Sequence, residues 1–318
     1  GGRAAPTEII DVGGLAEEIR DQNCGGYVYG PEFINLVQRT QCGHNPDPYD
    51  ATPIEQGIGV NYGMFKFGGI SFAFLEDRKF KTAPIQGEDL DVHEAQLLGV
   101  RQEAFLEAWG RDEAGVDGRI CLTQSLFACL QTSPRGQPLL DWDANGQPKL
   151  HRDRAITLLR AASALVLSGD QHLGSLIRHG IDSHTDGVVQ FTGPAGVSFW
   201  QRWFEPREVL ANGSGEPYTG DFTDAFGNKL HVHAIANPKI TFAYYRQFKG
   251  GRSQALGDQN LKSEGYGIVR VRRTAREYVL ECWPRVVDPT LPGAGQFEGW
   301  PFRLSFDDCD GRNLKGEA

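Results

Sequence analysis

Nine residues decide the fold class of this chain: Ala164-Leu165-Val166-Leu167-Ser168-Gly169-Asp170-Gln171-His172. The four apolar residues at their start predict a short strand that is buried on both faces, as in a parallel sheet. Directly before them, His151 to Ala162 has apolar residues at helical spacing. A helix that leads straight into a buried strand is typical of an α/β fold.

The same alternation is found toward the amino terminus. Gly69 to Leu75 predicts another buried strand, Val92 to Trp109 an amphipathic helix, and Arg119 to Thr123 a further short strand. Earlier residues are rich in Gly, Pro, Asn and Asp and contain one predicted helix, Glu32 to Gln38. Strands alternating with helices predict an α/β core in this part of the chain.

Toward the carboxyl terminus the periodicity changes to two. Ile268 to Arg272 and Tyr278 to Trp283 alternate in polarity around a short polar turn, which predicts an antiparallel hairpin, and Phe302 to Phe306 alternates likewise. We therefore expect a boundary near residue 227. It divides an α/β region, 1–227, from a β-rich carboxyl-terminal appendage, 228–318.

Composition excludes some classes of partner. The 318 residues carry a formal net charge of -9 and contain no Lys/Arg-dense stripe, which argues against nucleic acid. No run of eighteen apolar residues predicts a membrane span, and no signal peptide is visible. The six cysteines include no Cys-x-x-Cys pair, so a cysteine-zinc site is not predicted, although disulfides are possible.

The polar residues after the deciding strand are candidates for chemistry. In open α/β sheets, ligands bind beyond the carboxyl ends of strands, where Asp170 and His172 lie. If the extended conformation continues, these two side chains share a face and can converge on one cation. The alternative is a strand-ending turn with an incidental histidine.

Several segments together resemble the alkaline phosphatase D-like metallophosphatases. Gly169 to His172 looks like the family's Gly-Asp-x-His element, and Phe74 to Lys81 resembles its strand ending in Asp-x-Arg. Leu98 to Trp109 is similar to its helix with Leu-Gly, Gln, Leu and Trp, and Thr40 to Pro46 resembles its His-x-Pro stretch. The segments occur in the family's order and cover roughly residues 25–205.

The resemblance implies a fold, a reaction and residue roles. The expected fold is the later half of a metallophosphatase αββα sandwich, followed by a small antiparallel appendage. The expected reaction is metal-dependent hydrolysis of a small phosphate ester by two divalent ions (Ca, Mn, Fe or Zn). Asp170 and His172 would be metal ligands, and Arg78 and His44 would orient the phosphate or leaving group. Alternatively, Arg78 pairs with a carboxylate and His44 is a solvated loop histidine.

The chain also departs from the family pattern. It has no early Gly-Asp-x-x-Asp and no Gly-Asn-His motif, and it starts at Gly1 without a methionine. We therefore expect the missing elements to precede Gly1, and the chain alone to bind metal poorly and show little activity. The family resemblance also implies export to the periplasm or the extracellular space.

A second interpretation is an inactive or carbohydrate-binding module on the same fold. Trp200, Trp203, Trp283 and Trp300 would then form a surface that stacks on sugar rings. His231 and His233 form a His-x-His pair on a predicted strand, but no carboxylate stands at ligand spacing in the sequence. We interpret this pair as one face of a surface strand.

Overall fold

The fold was analysed in a computed structural model. It describes residues 29–54, 56–82, 95–197, 201–247 and 261–310. Within them, an eight-stranded mixed sheet and a three-stranded antiparallel sheet form the body of the chain. The strands are β1 (Gly63–Phe67), β2 (Ile70–Phe74), β3 (Gly118–Leu122), β4 (Ala164–Ser168), β5 (Gly174–His179), β6 (Val189–Thr192), β7 (Gly220–Thr223), β8 (Lys229–Ala236), β9 (Gly265–Arg272), β10 (Glu277–Pro284) and β11 (Phe302–Ser305). The helices are α1 (Pro31–Cys42), α2 (Asp77–Phe80), α3 (Gly99–Arg111), α4 (Lys149–Ala161) and α5 (Phe242–Gln247).

The large sheet has the strand order β1-β2-β3-β4-β6-β5-β8-β7. Its centre is parallel: β2, β3, β4 and β6 run in the same direction, while β1, β5, β7 and β8 pair antiparallel with their neighbours. The carboxyl ends of the four parallel strands therefore meet at one edge of the sheet. Side chains that follow these strands are brought close together there.

One face of the large sheet is covered by α3 and α4. Phe105 and Trp109 of α3 and Leu159 of α4 are fully buried with Cys121 and Val166 of the sheet in one apolar cluster. The indole nitrogen of Trp109 also donates to Ser71 Oγ of β2 at 2.9 Å, which satisfies its buried polar atom.

The three-stranded sheet, β11-β10-β9, covers the opposite face. Ile120 and Leu165 of the large sheet pack in one cluster with Tyr278 and Leu280 of β10 and Leu304 of β11. The chain thus has a helical layer, a large mixed sheet and a small antiparallel sheet. This confirms the predicted fold class, an α/β region followed by a small antiparallel β-rich part.

Most of the predicted elements are confirmed, with shifted bounds. The strands predicted at 69–75, 119–123 and 164–167 are β2, β3 and β4, and the hairpin after residue 267 is β9 with β10. The helix predicted from Val92 begins at Gly99. Residues 95–98 are not helical, and Val92 itself lies outside the described residues.

The predicted boundary at residue 227 falls in the turn between β7 and β8. β8 pairs with both β7 and β5 in the large sheet, so residues 229–236 belong to the α/β body rather than to an appendage. The separate antiparallel sheet starts at β9, with Gly265. The alternating pattern of β8 indicated a strand but not the sheet it joins.

Two further sequence-based expectations concern the whole chain. The five cysteines in the described ranges are free thiols, and Cys24 lies outside those ranges. No helix within the same ranges is both long and apolar enough to cross a membrane.

The packing of α3 against the large sheet should contribute strongly to the free energy of unfolding. Phe105→Ala is expected to lower the free energy of unfolding by about 3–5 kcal/mol, because it removes a fully buried ring and leaves a cavity. Val100→Ala on the same helix is the matched control: Val100 is 74% exposed, so its change should stay within about 0.5 kcal/mol. Urea unfolding measures both, and a cost below about 1 kcal/mol for Phe105→Ala would contradict the packing.

Candidate functional site

The candidate site lies where β2, β3 and β4 end. After β2 come Glu76, Asp77 and Arg78; after β3 comes Thr123; after β4 comes Asp170. All follow parallel strands at the same edge of the sheet, as the sequence predicted for Asp170 and Arg78. A loop covering residues 141–147 completes the site.

Asp170 does not continue the extended conformation of β4. The strand ends at Ser168, and the Gln171 N–H donates to Gly169 O at 2.9 Å across Asp170, as in a γ-turn. Asp170 has φ 71° and His172 has φ 55°, both in the left-handed region. The extended backbone that would send these two side chains to one face is therefore absent, because the chain turns immediately after the strand.

Arg78 is the residue that connects the strand ends. Its Nη2 donates to Asp170 Oδ2 and its Nη1 donates to Asp143 Oδ1, each at 2.8 Å. Its side chain is 28% exposed, against 40% for Asp170 and 60% for Asp143. Burial opposes the guanidinium charge, but Asp143 and then Asp170 outweigh burial and raise the pKa of Arg78. The group stays charged, and it faces solvent between two carboxylates.

A buried carboxylate lies beneath this pair. Asp77 has no exposed surface, and its Oδ2 accepts from Thr123 Oγ1 at 2.9 Å and from the Asn145 amide. Asp77 therefore ties the end of β2 to the end of β3 and to the 141–147 loop. Asp77 Oδ1 and Asn145 Oδ1 are buried and accept no hydrogen bond from the described part of the chain.

Lys81 holds the same loop from below. Its Nζ donates to Ala144 O at 2.6 Å and to Trp142 O at 3.1 Å, and the residue is only 3% exposed. Burial lowers the pKa of Lys81 to about 8, and the charge of Arg78 acts in the same direction. The backbone on each side of Asp143 is thus fixed by a buried amine.

The helix glutamine that carries part of the family resemblance also supports the site. Gln102 of α3 accepts from Glu76 N at 2.9 Å and donates to Glu76 O at 3.1 Å. The Gln102 side-chain amide therefore satisfies the backbone N–H and C=O of Glu76, as a neighbouring strand would. Burial raises the pKa of Glu76, whose carboxylate pairs with Lys79 at 3.0 Å.

The other two predicted site residues are His172 and His44. His172 is half-buried, beyond the turn at Asp170. His44 is exposed in the turn that follows α1, and it makes no hydrogen bond or ion pair with any residue that the structure describes. The structure thus brings Arg78 and Asp170 together, without joining His44 to them.

A metal centre was tested against these side chains. Across the described ranges, no group of three or more His, Cys, Asp or Glu side chains is arranged to hold a metal ion. Asp170 Oδ2, a predicted ligand atom, instead accepts from Arg78. The described side chains by themselves do not fit a closed metal centre.

The His-x-His pair of β8 lies elsewhere in the sheet. His231 Nδ1 is 2.7 Å from Asp221 Oδ1 on the neighbouring strand β7, and the His233 ring lies 5.0 Å from that of Phe302. Burial, and then the charge of His231, lowers the pKa of His233 to about 3. Both side chains are half-buried, and the ring of His233 contacts β11, so the pair does not lie on an open strand face.

The tryptophan surface proposed for a carbohydrate-binding module is wrong for the described tryptophans. Trp203 is 2% exposed, and Trp283 and Trp300 are each 8% exposed. Trp203 stacks on Phe242 with ring centroids 4.6 Å apart. These rings are core residues, so they offer no stacking face; Trp200 lies outside the described residues.

Sequence reasoning missed Lys81, Asp143 and Asn145 as site residues. The signal available for the last two was turn chemistry, because Asp143-Ala144-Asn145-Gly146 is typical of a loop. Nothing in the local sequence indicates that this loop contacts the segment after β2. Asp143 and Arg78, which pair there, are 65 residues apart in the chain.

Comparisons with known proteins give a partial match in fold. No family model matches the chain, and no curated protein matches it. A solved structure described as "Structure of PhoD" is similar at 19% sequence identity, over 51% of this chain and 33% of that one, with a TM-score of 0.38. The chain thus spans about a third of the structure it matches. At that TM-score, the match assigns neither a function nor site residues.

The buried amine of Lys81 predicts a pH dependence. Below about pH 8 the lysine is charged in the folded and unfolded chains alike. Between about pH 8 and its ordinary pKa of 10.5, the folded chain loses this proton while the unfolded chain keeps it, so stability rises with pH. Relative to Lys81→Met, wild type should gain up to about 3 kcal/mol over that window.

Denaturant unfolding of both proteins at several pH values measures this difference. Subtracting the variant removes the titration of all other groups. A difference that stays flat from pH 8 to 10.5 would show that Lys81 is not buried as a charged amine.

Proposed function

We propose that the intact protein hydrolyses a small phosphate ester and that the strand-end site of this chain binds the phosphate. Arg78 donates hydrogen bonds to the phosphate oxygens, and Asp170 lies beside it. The proposal is supported by one observation above all. Segments that carry the family resemblance, Phe74 to Lys81 and Gly169 to His172, meet in space through the Arg78–Asp170 pair.

The guanidinium has the geometry that a phosphate requires. Nη1 and Nη2 of Arg78 already donate to two separate oxygen atoms, one from Asp143 and one from Asp170. A phosphate accepts two parallel N–H bonds from such a fork. Both carboxylates are substantially exposed, and exposed ion pairs are weak, so an anion can take their place.

The residues beneath Arg78 hold it in position. Asp77, next in the chain, is bound to Thr123 and to Asn145, and Lys81 anchors the loop that carries Asp143. These contacts are buried, unlike those of Arg78. Buried contacts therefore hold the segment that carries Arg78, while the carboxylates paired with Arg78 are exposed and can be replaced by an anion.

Hydrolysis in this proposal also requires divalent metal, which polarises the phosphoryl group and supplies a nucleophile when bound. Asp170 and His172 are the ligands that this chain would contribute. Because the described side chains do not complete a centre, we expect the remaining ligands outside them and little turnover from the chain alone. His44 stays a proposed substrate contact.

Phosphate binding by Arg78 can be measured directly. Titration of inorganic phosphate into the chain, followed by calorimetry, should give a dissociation constant that rises about tenfold in Arg78→Lys, because an ammonium cannot donate as a fork. Asp143→Asn should strengthen binding, since it removes a competing carboxylate charge.

Arg101→Lys is the matched control. The Arg101 side chain is also 28% exposed and also pairs with an aspartate, Asp50, at 2.8 Å. Its other partners are Thr52 O and the ring of Phe80, rather than Asp143 or Asp170. Its effect should stay within about twofold. Equal phosphate affinity in wild type and Arg78→Lys would refute Arg78 as the residue that binds the phosphate.

Turnover is tested with p-nitrophenyl phosphate and added Mn²⁺, Ca²⁺ or Zn²⁺. We expect metal-dependent hydrolysis by the intact protein and little by the 318-residue chain. Phosphate binding with no hydrolysis by either would favour a ligand-binding module on the same fold.

A further inference from the structure

A line of buried hydrogen bonds runs under the candidate site on the helix face of the large sheet. It begins at Arg152 of α4, whose side chain has no exposed surface. It continues through His179 of β5 and Gln190 of β6, both fully buried. It ends at Ser168, the last residue of β4, two residues before Asp170.

The direction of these bonds is set at Arg152. A guanidinium can only donate hydrogen bonds. Its Nη2 is 2.9 Å from His179 Nδ1, so Nδ1 must accept and the ring proton must sit on Nε2. His179 Nε2 then donates to Gln190 Oε1, which is 2.7 Å away.

The far end of the line agrees with this assignment independently. Gln190 Oε1 also accepts from the Phe127 N–H at 3.2 Å, and Gln190 Nε2 donates to Ser125 O at 3.2 Å. A backbone N–H can only donate and a carbonyl can only accept, so these two contacts fix the orientation of the amide. The same Nε2 donates to Ser168 Oγ at 2.8 Å.

The line thereby joins the ends of three parallel strands. Ser168 Oγ lies 2.9 Å from Thr192 Oγ1, at the end of β6, and Ser125 lies in the segment that follows β3. Arg152 fixes that segment a second time, since its Nε donates to Phe127 O at 2.9 Å. Arg152 thus contacts, directly or through His179 and Gln190, the segment after β3 and the end of β4.

We propose that Arg152 is a positioning residue of the candidate site, acting through His179 and Gln190 to hold Ser168 and the backbone that carries Asp170. Its importance for turnover rests on the proposed function, whereas its effect on the Asp170 backbone does not. A fully buried charge is costly to keep, and its carboxylate neighbour Asp153 is 21% exposed. Arg152 donates to four acceptors, which are Phe127 O, Asp153 Oδ1, Gly180 O and His179 Nδ1. Because it only donates, it sets the direction of the hydrogen bonds that follow.

Burial and then the charge of Arg152 lower the pKa of His179 well below its usual range. The imidazole is therefore neutral, in agreement with an acceptor at Nδ1. The hydrogen-bond direction should not change across the range in which exposed histidines titrate.

Two variants test the positioning role. Arg152→Lys keeps the charge but cannot reach all four acceptors. Gln190→Glu keeps the acceptor for His179 and Phe127 but has no N–H for Ser168 Oγ or Ser125 O. If Arg152→Lys does not fold, Gln190→Glu decides alone.

The readout is the amide of the residue before Asp170. Labelling serine carbonyls with ¹³C and glycine nitrogens with ¹⁵N selects Ser-Gly pairs, which occur in this chain at Ser168-Gly169 and Ser214-Gly215. We expect the Gly169 signal to move in both variants and the Gly215 signal to stay. ¹⁵N-histidine spectra should show His179 protonated at Nε2 in wild type and altered in Arg152→Lys.

Arg178→Lys is the matched control for loss of a buried guanidinium. Arg178 is also fully buried, but it lies on the opposite face of the sheet and donates to Gly187 O and Asp308 O, each at 3.2 Å. This variant should lose stability without moving Gly169. A Gly169 signal that stays fixed in folded Gln190→Glu would overturn the proposal.

Activity separates this proposal from the proposed function. In the intact, metal-loaded protein, Gln190→Glu should lower kcat on p-nitrophenyl phosphate roughly tenfold with KM within about twofold, because a misplaced group weakens the chemical step. An intact wild type without turnover would refute the proposed function, and the Gly169 signal would still decide the positioning role. Full kcat in Gln190→Glu would refute a role in turnover.

Discussion

The buried carboxylate of Asp77 is the interaction on which the candidate site depends. A carboxyl group with no exposed surface needs hydrogen-bond donors, and Asp77 Oδ2 has two, Thr123 and Asn145, which come from two other segments. These two bonds to one carboxylate oxygen therefore tie together the ends of β2 and β3 and the 141–147 loop. Asp77 also begins α2, the single helical turn that aims Arg78 across the strand ends.

Further buried polar contacts lie on both faces of the large sheet. On the helix face, Arg152, His179 and Gln190 connect α4 to the end of β4, and on the other face Arg178 binds the segment after β11. Both guanidinium groups are fully buried, and burial lowers the pKa of each. Apolar contacts are non-directional, whereas these hydrogen bonds have fixed partners and so add to the specificity of the arrangement.

The sequence revealed those parts of the fold in which burial and apolarity coincide. β2 and β4 were predicted because they are runs of apolar residues with few polar interruptions. β5 and β6 were not, although every residue in both is buried, because they contain Arg178, His179 and Gln190. Such polar residues are tolerated in a core only when tertiary partners satisfy them, and those partners are far away in sequence.

The candidate site divides in the same way. Asp170 and Arg78 were found because each follows a predicted strand in a recognisable motif. Their pairing was not, because a contact across 92 residues depends on the order of strands in the sheet. The turn at Asp170 was one of two alternatives left open, because nothing in Gly169-Asp170-Gln171 decides between a continued strand and a positive φ at the aspartate.

The charges at the strand ends limit what this site can do alone. Arg78 and Lys81 face Asp77, Asp143 and Asp170, so carboxylates already outnumber cations among these five groups. A phosphate that takes Arg78 from its two partners leaves both carboxylates beside a new anion. Lys81 cannot compensate, because it is buried and donates to two loop carbonyls. We therefore expect phosphate binding by this chain alone to be weak, and in the proposed function a divalent cation near Asp170 would supply the missing positive charge.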